Sequence, residues 1–156
     1  MDLTVRPKRT LSKPVTQRVL IVDDEPSNVE LLKEYLIDVA DEIRVVTNSS
    51  EAETAFIEFE PDLVLLDLRM PHPDGLELLR RLGNVRSRMG FLPVIVLTAD
   101  VSDSARDSAL ILGADEFLTK PLDRLEVRLR VRNLLQTRNL FKELTRKTGS
   151  FPRSRP

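Results

Sequence analysis

Asp62-Leu63-Val64-Leu65-Leu66-Asp67-Leu68 is the stretch that decides how this 156-residue chain is read. Pro61 precedes it, and four apolar residues run unbroken before a carboxylate closes them. A strand with one wet face alternates apolar and polar side chains. A run that is apolar at every position fits a strand covered on both faces, as in a parallel sheet between helices. A carboxylate at the end of so apolar a run needs a reason, because an unpaired charge is costly to bury.

Working outward, the same grammar repeats. RVLIVDD (18–24) is a second apolar run, ending in two aspartates, and Pro26 suits the first turn of a helix over about 26–39. Val29, Leu32, Leu36 and Val39 recur there at three- and four-residue spacing, with Leu31, Tyr35 and Ile37 widening the face. EIRVVT (42–47) reads as a strand, and 50–59 as a helix through Ala52, Ala55, Phe56 and Phe59. After the 62–68 strand comes a helix over 75–88 through Leu76, Leu78, Leu79 and Leu82. LPVIVLTA (92–99) is a strand, 103–112 a helix stopped by Gly113, EFLTK (116–120) a short strand, and a long helix starts near 123. Helices between strands imply parallel pairing with right-handed crossovers. The expected fold is therefore α/β: a doubly wound five-stranded parallel sheet, flavodoxin-like in strand order 2-1-3-4-5. In that order strands one and three are neighbours.

Composition narrows the chemistry. There is no cysteine, so there is no disulfide frame, thiol nucleophile or Cys-held metal, and the only histidine is His72. With six Phe, one Tyr and no Trp, the core must come from Leu, Val and Ile. The formal net charge of -1 hides an acidic body between basic ends. The basic ends read as solvated arms and a helix face; no aromatic interleaving points to nucleic acid, and none is expected as a partner. Residues 1–18 lack the apolar stretch of a secretory signal, and no apolar run approaches 18 residues, so no membrane partner and a cytoplasmic location are expected.

The strand ends then carry the site. Asp23 and Asp24 end the first strand, Asp67 nearly ends the third, Thr98 ends the fourth and Lys120 the fifth. If the strand order holds, all five meet at one edge of the sheet. Three carboxylates together resist ionisation unless a cation joins them, and a hard divalent ion such as Mg2+ suits oxygen ligands. A metal, an ammonium and a hydroxyl together suit a phosphoryl group, with one carboxylate as nucleophile. Neither a GxxxxGK[ST] loop nor a GxGxxG turn is present, so a tightly held nucleotide is not implied.

Four pieces, VLIVDDE (19–25), LVLLDLRMPHPDG (63–75), VIVLTA (94–99) and GADEFLTKP (113–121), resemble in order and spacing the receiver domain of two-component response regulators, over roughly residues 18–137. The resemblance implies that Asp67 accepts a phosphoryl group from a histidine kinase or histidine phosphotransfer protein. It implies Mg2+, with Mn2+ as a substitute, held by Asp24 directly, Asp23 largely through water, Asp67 and the backbone carbonyl of Arg69. Lys120 would pair with Asp67 and then with the phosphoryl oxygens. Thr98 would swing toward the phosphoryl group, and Phe117 would turn inward with it. The Lys120–Pro121 bond would be cis, and Ala99 would leave the site open. Arg69 and Asp100 match variable positions that tune hydrolysis of the phosphoaspartate. His72 reads as a solvated loop residue, not a phosphoryl carrier.

The resemblance implies a switch that controls partner binding or dimerisation, not an enzyme beyond self-phosphorylation and autodephosphorylation. One alternative is a degenerate scaffold receiver acting without phosphorylation, but none of the key residues is missing. Another is a phosphatase with an aspartyl nucleophile, which would need Asp-x-Asp where this chain has Asp67-Leu68-Arg69. The expected organisation is a flexible arm over 1–17, the receiver over 18–137, a helical extension over 138–147 and a disordered tail over 148–156. Leu125, Leu129, Val131, Leu134, Leu135, Leu140, Phe141 and Leu144 give the last helix its apolar positions. Beyond about 137 it is expected to have nothing of its own to bury against. Val127, Val131, Leu134, Phe141 and Thr145 approximate a heptad seam, broken by Arg138, through which a second copy could pair. The helix also resembles the linker of regulators that carry a second-messenger phosphodiesterase or related output domain. A stand-alone receiver and a piece of a longer regulator both remain open.

Overall fold

Strands apolar on both faces have to be covered twice, and the architecture follows from that requirement. In the computed structural model, which describes residues 16–71, 73–100 and 102–148, five strands form one parallel sheet: β1 (Arg18–Val22), β2 (Glu42–Val46), β3 (Leu63–Asp67), β4 (Val94–Thr98) and β5 (Glu116–Thr119). Their order is β2-β1-β3-β4-β5, with β3 paired to β1 and to β4. β3 and β4 are buried at every position, whereas β2, an edge strand, alternates exposed and half-buried residues before ending on buried Val46. The helices are α1 (Pro26–Leu36), α2 (Ala52–Phe59, after a 3-10 turn at Ser49–Glu51), α3 (Gly75–Met89), α4 (Asp103–Ile111) and α5 (Arg124–Thr148). Asp74 caps α3 by accepting from the Glu77 amide, Ser102 caps α4 through Ala105, and Asp123 accepts from Glu126 at the start of α5.

Residue parity divides the core. Leu20, Val22, Val64, Leu66, Val94 and Val96 face α2, α3 and α4 with Phe56, Leu79 and Leu82. Val19, Ile21, Leu63, Leu65, Ile95 and Leu97 face α1 and α5 with Leu32, Leu36, Val127 and Val131. One strand therefore feeds two cores, and a one-residue slip would exchange them. Arg128 ties α5 to α1 by bonding to the Asp38 carboxylate and, at 2.9 Å, to the Tyr35 carbonyl. Its guanidinium holds the Asp38 carboxyl down at about 2.

Several expectations require correction. α1 ends at Leu36 instead of 39, and Ile37, expected to widen its buried face, is 77% exposed. In α5, Leu125 and Leu129 do not cover the sheet: they are 64% and 46% exposed, and Leu140 and Leu144 also face outward. The expected heptad seam is instead the helix's own docking face: Val127 and Val131 are buried against the sheet, and Leu134 packs beside them. Beyond 137 the helix still has partners in the domain, because Arg138 is buried and Phe141 lies 6.1 Å from Phe91, centroid to centroid. Gln17, placed in the expected arm, is tied down: its carbonyl accepts from the Asp41 and Glu42 amides. The rest of the expected arm up to residue 15, His72, and the expected tail from 149 onward lie outside the described residues.

The orientation of α5 can be checked by substitution. Val131→Ala should lose about 2 kcal/mol of unfolding free energy in urea denaturation, and Leu129→Ala less than about 0.5 kcal/mol.

Candidate functional site

The parallel sheet brings the carboxyl ends of its strands to one edge, where β1 and β3 lie side by side. Each chemical residue stands at or one to two residues past a strand end: Asp23 and Asp24 after β1, Asp67 at the end of β3, Thr98 at the end of β4, Lys120 after β5. The structure brings these residues together. Asp23, Asp24 and Asp67 each offer one carboxylate oxygen within 4.8 Å of the others. Asp23 is fully buried, Asp67 is 3% exposed, and Asp24 faces solvent. The Lys120 ammonium lies 3.1 Å from Asp67 Oδ2 and 3.4 Å from Asp23 Oδ2, so one cation spans two buried anions.

Local turns aim these groups. Asp23 Oδ1 accepts the Glu25 amide at 3.0 Å, and Asp67 Oδ1 accepts the Arg69 amide at 3.0 Å. Each carboxylate thus closes a turn two residues on, which fixes its rotamer. Thr98 is fully buried; its Oγ1 accepts the Asp100 amide at 3.1 Å, and its carbonyl accepts the Lys120 amide at 2.8 Å. The hydroxyl proton of Thr98 therefore remains available for donation. Phe117 sits opposite Val96 in the β4–β5 register, and Thr98 opposite Thr119. Phe117 is half-buried against the core on the α2, α3 and α4 side. The Lys120–Pro121 peptide is cis.

Between Asp67 and α3 the chain turns sharply. A Cβ added at Gly75 would lie 2.4 Å from the Asp67 carbonyl oxygen and 2.4 Å from the Leu68 Cα, so only glycine fits beside that backbone. The Gly75 amide donates to the Leu68 carbonyl at 3.1 Å.

Two contacts were not anticipated from sequence. Ser49, buried after β2, donates its hydroxyl to the Pro71 carbonyl at 2.9 Å and so braces the β3–α3 loop. A lone serine in a polar turn carries no signal of that contact, which spans 22 residues. Arg69 and Asp100 approach to 3.7 Å and form an ion pair between the loops after β3 and β4.

Electrostatically the pocket is under load. Burial, reinforced by the neighbouring Asp67 charge, raises the Asp23 carboxyl from 3.8 to about 6, although the Glu25 amide and Lys120 pull the other way. A divalent cation among three carboxylate oxygens would reverse that balance, and the all-oxygen donor set suits Mg2+ better than Zn2+.

The fold and this edge define a doubly wound α/β domain with an acidic pocket, and comparison with known proteins gives it a family. The profile of the "Response regulator receiver domain" matches residues 19–132, and the chain belongs to that family. It is 40% identical over 119 residues to the transcriptional regulatory protein TrcR of Mycobacterium tuberculosis, covering 76% of this chain and 45% of that one. It is 38% identical over 122 residues to the cyclic di-GMP phosphodiesterase response regulator RpfG of Xanthomonas campestris, covering 77% and 32%. A two-component response regulator from Clostridium difficile superposes with a TM-score of 0.71 at 26% identity, covering 80% of this chain and 99% of that one. The receiver domain of a histidine kinase from Syntrophus aciditrophicus gives 0.70 at 33% identity, covering 78% and 92%. The chain spans about half the length of the curated transcriptional regulators it matches. Among the described residues no helix is long and apolar enough to cross a membrane.

The raised Asp23 carboxyl predicts a pH signature. The folded state binds that proton more tightly than the unfolded chain, so without metal this group lowers stability above pH 6 and the loss is relieved as pH falls from 6 toward 4. At pH 7.5 without metal, Asp23→Asn should therefore be more stable than wild type by about 1–3 kcal/mol. The gain should shrink by pH 4.5, as read by thermal unfolding at both pH values.

Proposed function

We propose that this chain is a phosphorylation-dependent receiver in which Asp67 is the phosphoacceptor. The observation that carries this reading is the placement of one buried carboxylate, Asp67, within 4.8 Å of two others and 3.1 Å from an ammonium at the strand edge. Its donor is a phosphohistidine on a histidine kinase or phosphotransfer protein. An Asp67 carboxylate oxygen attacks phosphorus, an O–P bond forms, the P–N bond breaks, and the imidazole leaves with the electron pair.

Asp23, Asp24, Asp67 and the Arg69 carbonyl would hold the metal, Mg2+ or Mn2+, which would offset charge on the phosphoryl oxygens when bound. The chain's own part is positional. Lys120 already faces the acceptor oxygen and passes to a phosphoryl oxygen once the new bond forms. Thr98 turns its free hydroxyl proton toward another. Phe117, on the neighbouring strand, follows into the space that Thr98 leaves. Beyond self-phosphorylation and loss of the phosphoryl group to water, no catalytic role is assigned to these residues. The receiver unit takes in Gln17 and α5 through Lys142, and its switched face would bind a downstream effector protein or output domain.

A second observation bears on output. Leu125 and Leu129, and further along Leu140 and Leu144, form two exposed apolar pairs on the side of α5 opposite its buried face, with the polar Arg132, Asn133 and Gln136 between them. Homodimerisation through the last helix uses this side, since the Val127 and Val131 face is occupied.

Incubation with a small phosphodonor and Mg2+ should add one phosphoryl group by intact mass, and Asp67→Asn should abolish it. Labelling of the Asp67→Asn variant to the wild-type level would overturn the assignment. Beryllofluoride with Mg2+ should raise the mass in solution toward that of a dimer, and Leu129→Lys/Leu140→Lys should hold it at the monomer. Dimer formation by that variant would exclude this side of the helix.

A further inference from the structure

The N-terminal edge of the sheet, at the pole opposite Asp67, carries a second buried charge cluster with no part in phosphoryl chemistry. Asp62, the residue before β3, is 1% exposed. It exchanges two hydrogen bonds with the start of β1: its amide donates to the Arg18 carbonyl at 2.7 Å, and its Oδ2 accepts the Arg18 amide at 2.9 Å. Its other oxygen faces α5. Lys142 Nζ bonds to Oδ1, and Arg138 Nε lies 3.7 Å from the same atom. Arg138 is 5% exposed and also donates from Nη1 to the Phe91 carbonyl just before β4. Phe91 in turn packs against Phe141 with the ring planes at 56°.

Positions 138, 141 and 142 lie at three- and four-residue spacing and so form one patch of the helix surface. That patch meets the residues leading into β3 and β4. The chemistry is mutual. A carboxylate as buried as Asp62 would be severely penalised alone, and so would the Arg138 guanidinium, so each requires the other. The approximate heptad face that could pair two helices includes Phe141 and Arg138, so this contact and pairing through that face exclude each other.

We propose that Asp62, Arg138, Lys142 and the Phe91–Phe141 contact form an intramolecular latch. The latch makes the last turns of α5 part of the receiver body and fixes the direction in which the helix leaves it. It also shuts off the Phe141 face, so pairing is left to the opposite side of the helix. The latch is independent of the phosphoacceptor reading, because it holds whether or not Asp67 is modified.

Amide hydrogen exchange on the full chain tests it, comparing wild type with Phe141→Ala/Lys142→Ala. In wild type, protection should continue from 127–135 into 138–145. In the double variant, 138–145 should exchange at least about tenfold faster while 127–135 is unchanged, the mark of local opening. Lys142→Ala alone, which removes only a half-exposed side chain, should fall between the two and leave 127–135 intact. Equal exchange of 138–145 in wild type and double variant would overturn the latch. Loss of protection along all of α5 in both variants would also overturn it, since the extension would then be inseparable from the core.

Discussion

The ammonium of Lys120, set between two buried carboxylates at 3.1 and 3.4 Å, is the contact on which the working edge of this domain depends. Asp23 and Asp67 come from strands that must be adjacent for the sheet to close in the order β2-β1-β3-β4-β5, so the fold itself forces like charges together. A single cation faces two carboxylates there, and burial, reinforced by the Asp67 charge, raises the Asp23 carboxyl. The edge is thus built short of positive charge. In the proposed function, that shortage suits the edge to a metal ion and to the phosphoryl group it would accompany. The strands behind the edge are buried at every position.

Most of the fold was legible because its signals are local and redundant. Runs such as Leu63–Leu66 and Val94–Leu97 are apolar at every position, which only a doubly covered strand explains, and the helices between them dictate parallel pairing. The site was legible for the same reason, since Asp23, Asp67, Thr98 and Lys120 each interrupt or follow an apolar run at the one edge that parallel strands share. α5 was not legible. Its leucines and valines lie on two opposite sides, Leu125, Leu129, Leu140 and Leu144 on one and Val127, Val131 and Leu135 on the other, and helical periodicity alone does not say which side is buried. The side carrying Val127, Val131 and Leu135 is the buried one, packed in one cluster with Ile95, Leu97 and Leu118. The burial of Arg138 depends on Asp62, 76 positions earlier, a distance over which no local pattern reports.

β3 is the axis joining these features. It begins just after Asp62 and ends on Asp67, so the anchor of α5 and the proposed phosphoacceptor are separated by four buried apolar residues of one central strand. Both aspartates are held by cations from later in the chain, Lys120 at one pole and Arg138 with Lys142 at the other. A strand paired on both sides and packed on both faces is the stiffest element available to a domain of this size, because any shift must break two ladders and two cores together. Movement in response to chemistry at Asp67 has to be sought elsewhere.

Room is left at the Thr98 side chain and on the edge strand β5, since β4 itself is paired on both sides and buried at every position like β3. Thr98 is buried, yet its hydroxyl accepts from the Asp100 amide and keeps its proton uncommitted. Phe117 is only half-buried on the same side of the sheet, one register step away on the edge strand β5. An edge strand has one ladder to hold it, and an aromatic ring with one free flank can occupy two positions at small energetic difference. In the proposed cycle a phosphoryl oxygen supplies the acceptor that the Thr98 proton lacks, and the displacement of that side chain changes the volume open to Phe117. The phosphoryl group binds the two arrangements unequally through one hydrogen bond, and an unequal contact is the minimum that a population shift requires. The strands β3 and β4 then serve as the fixed reference against which the Thr98 side chain and Phe117 on edge strand β5 move, and α5, held at the far end of β3, stays in place while the surface beside it changes.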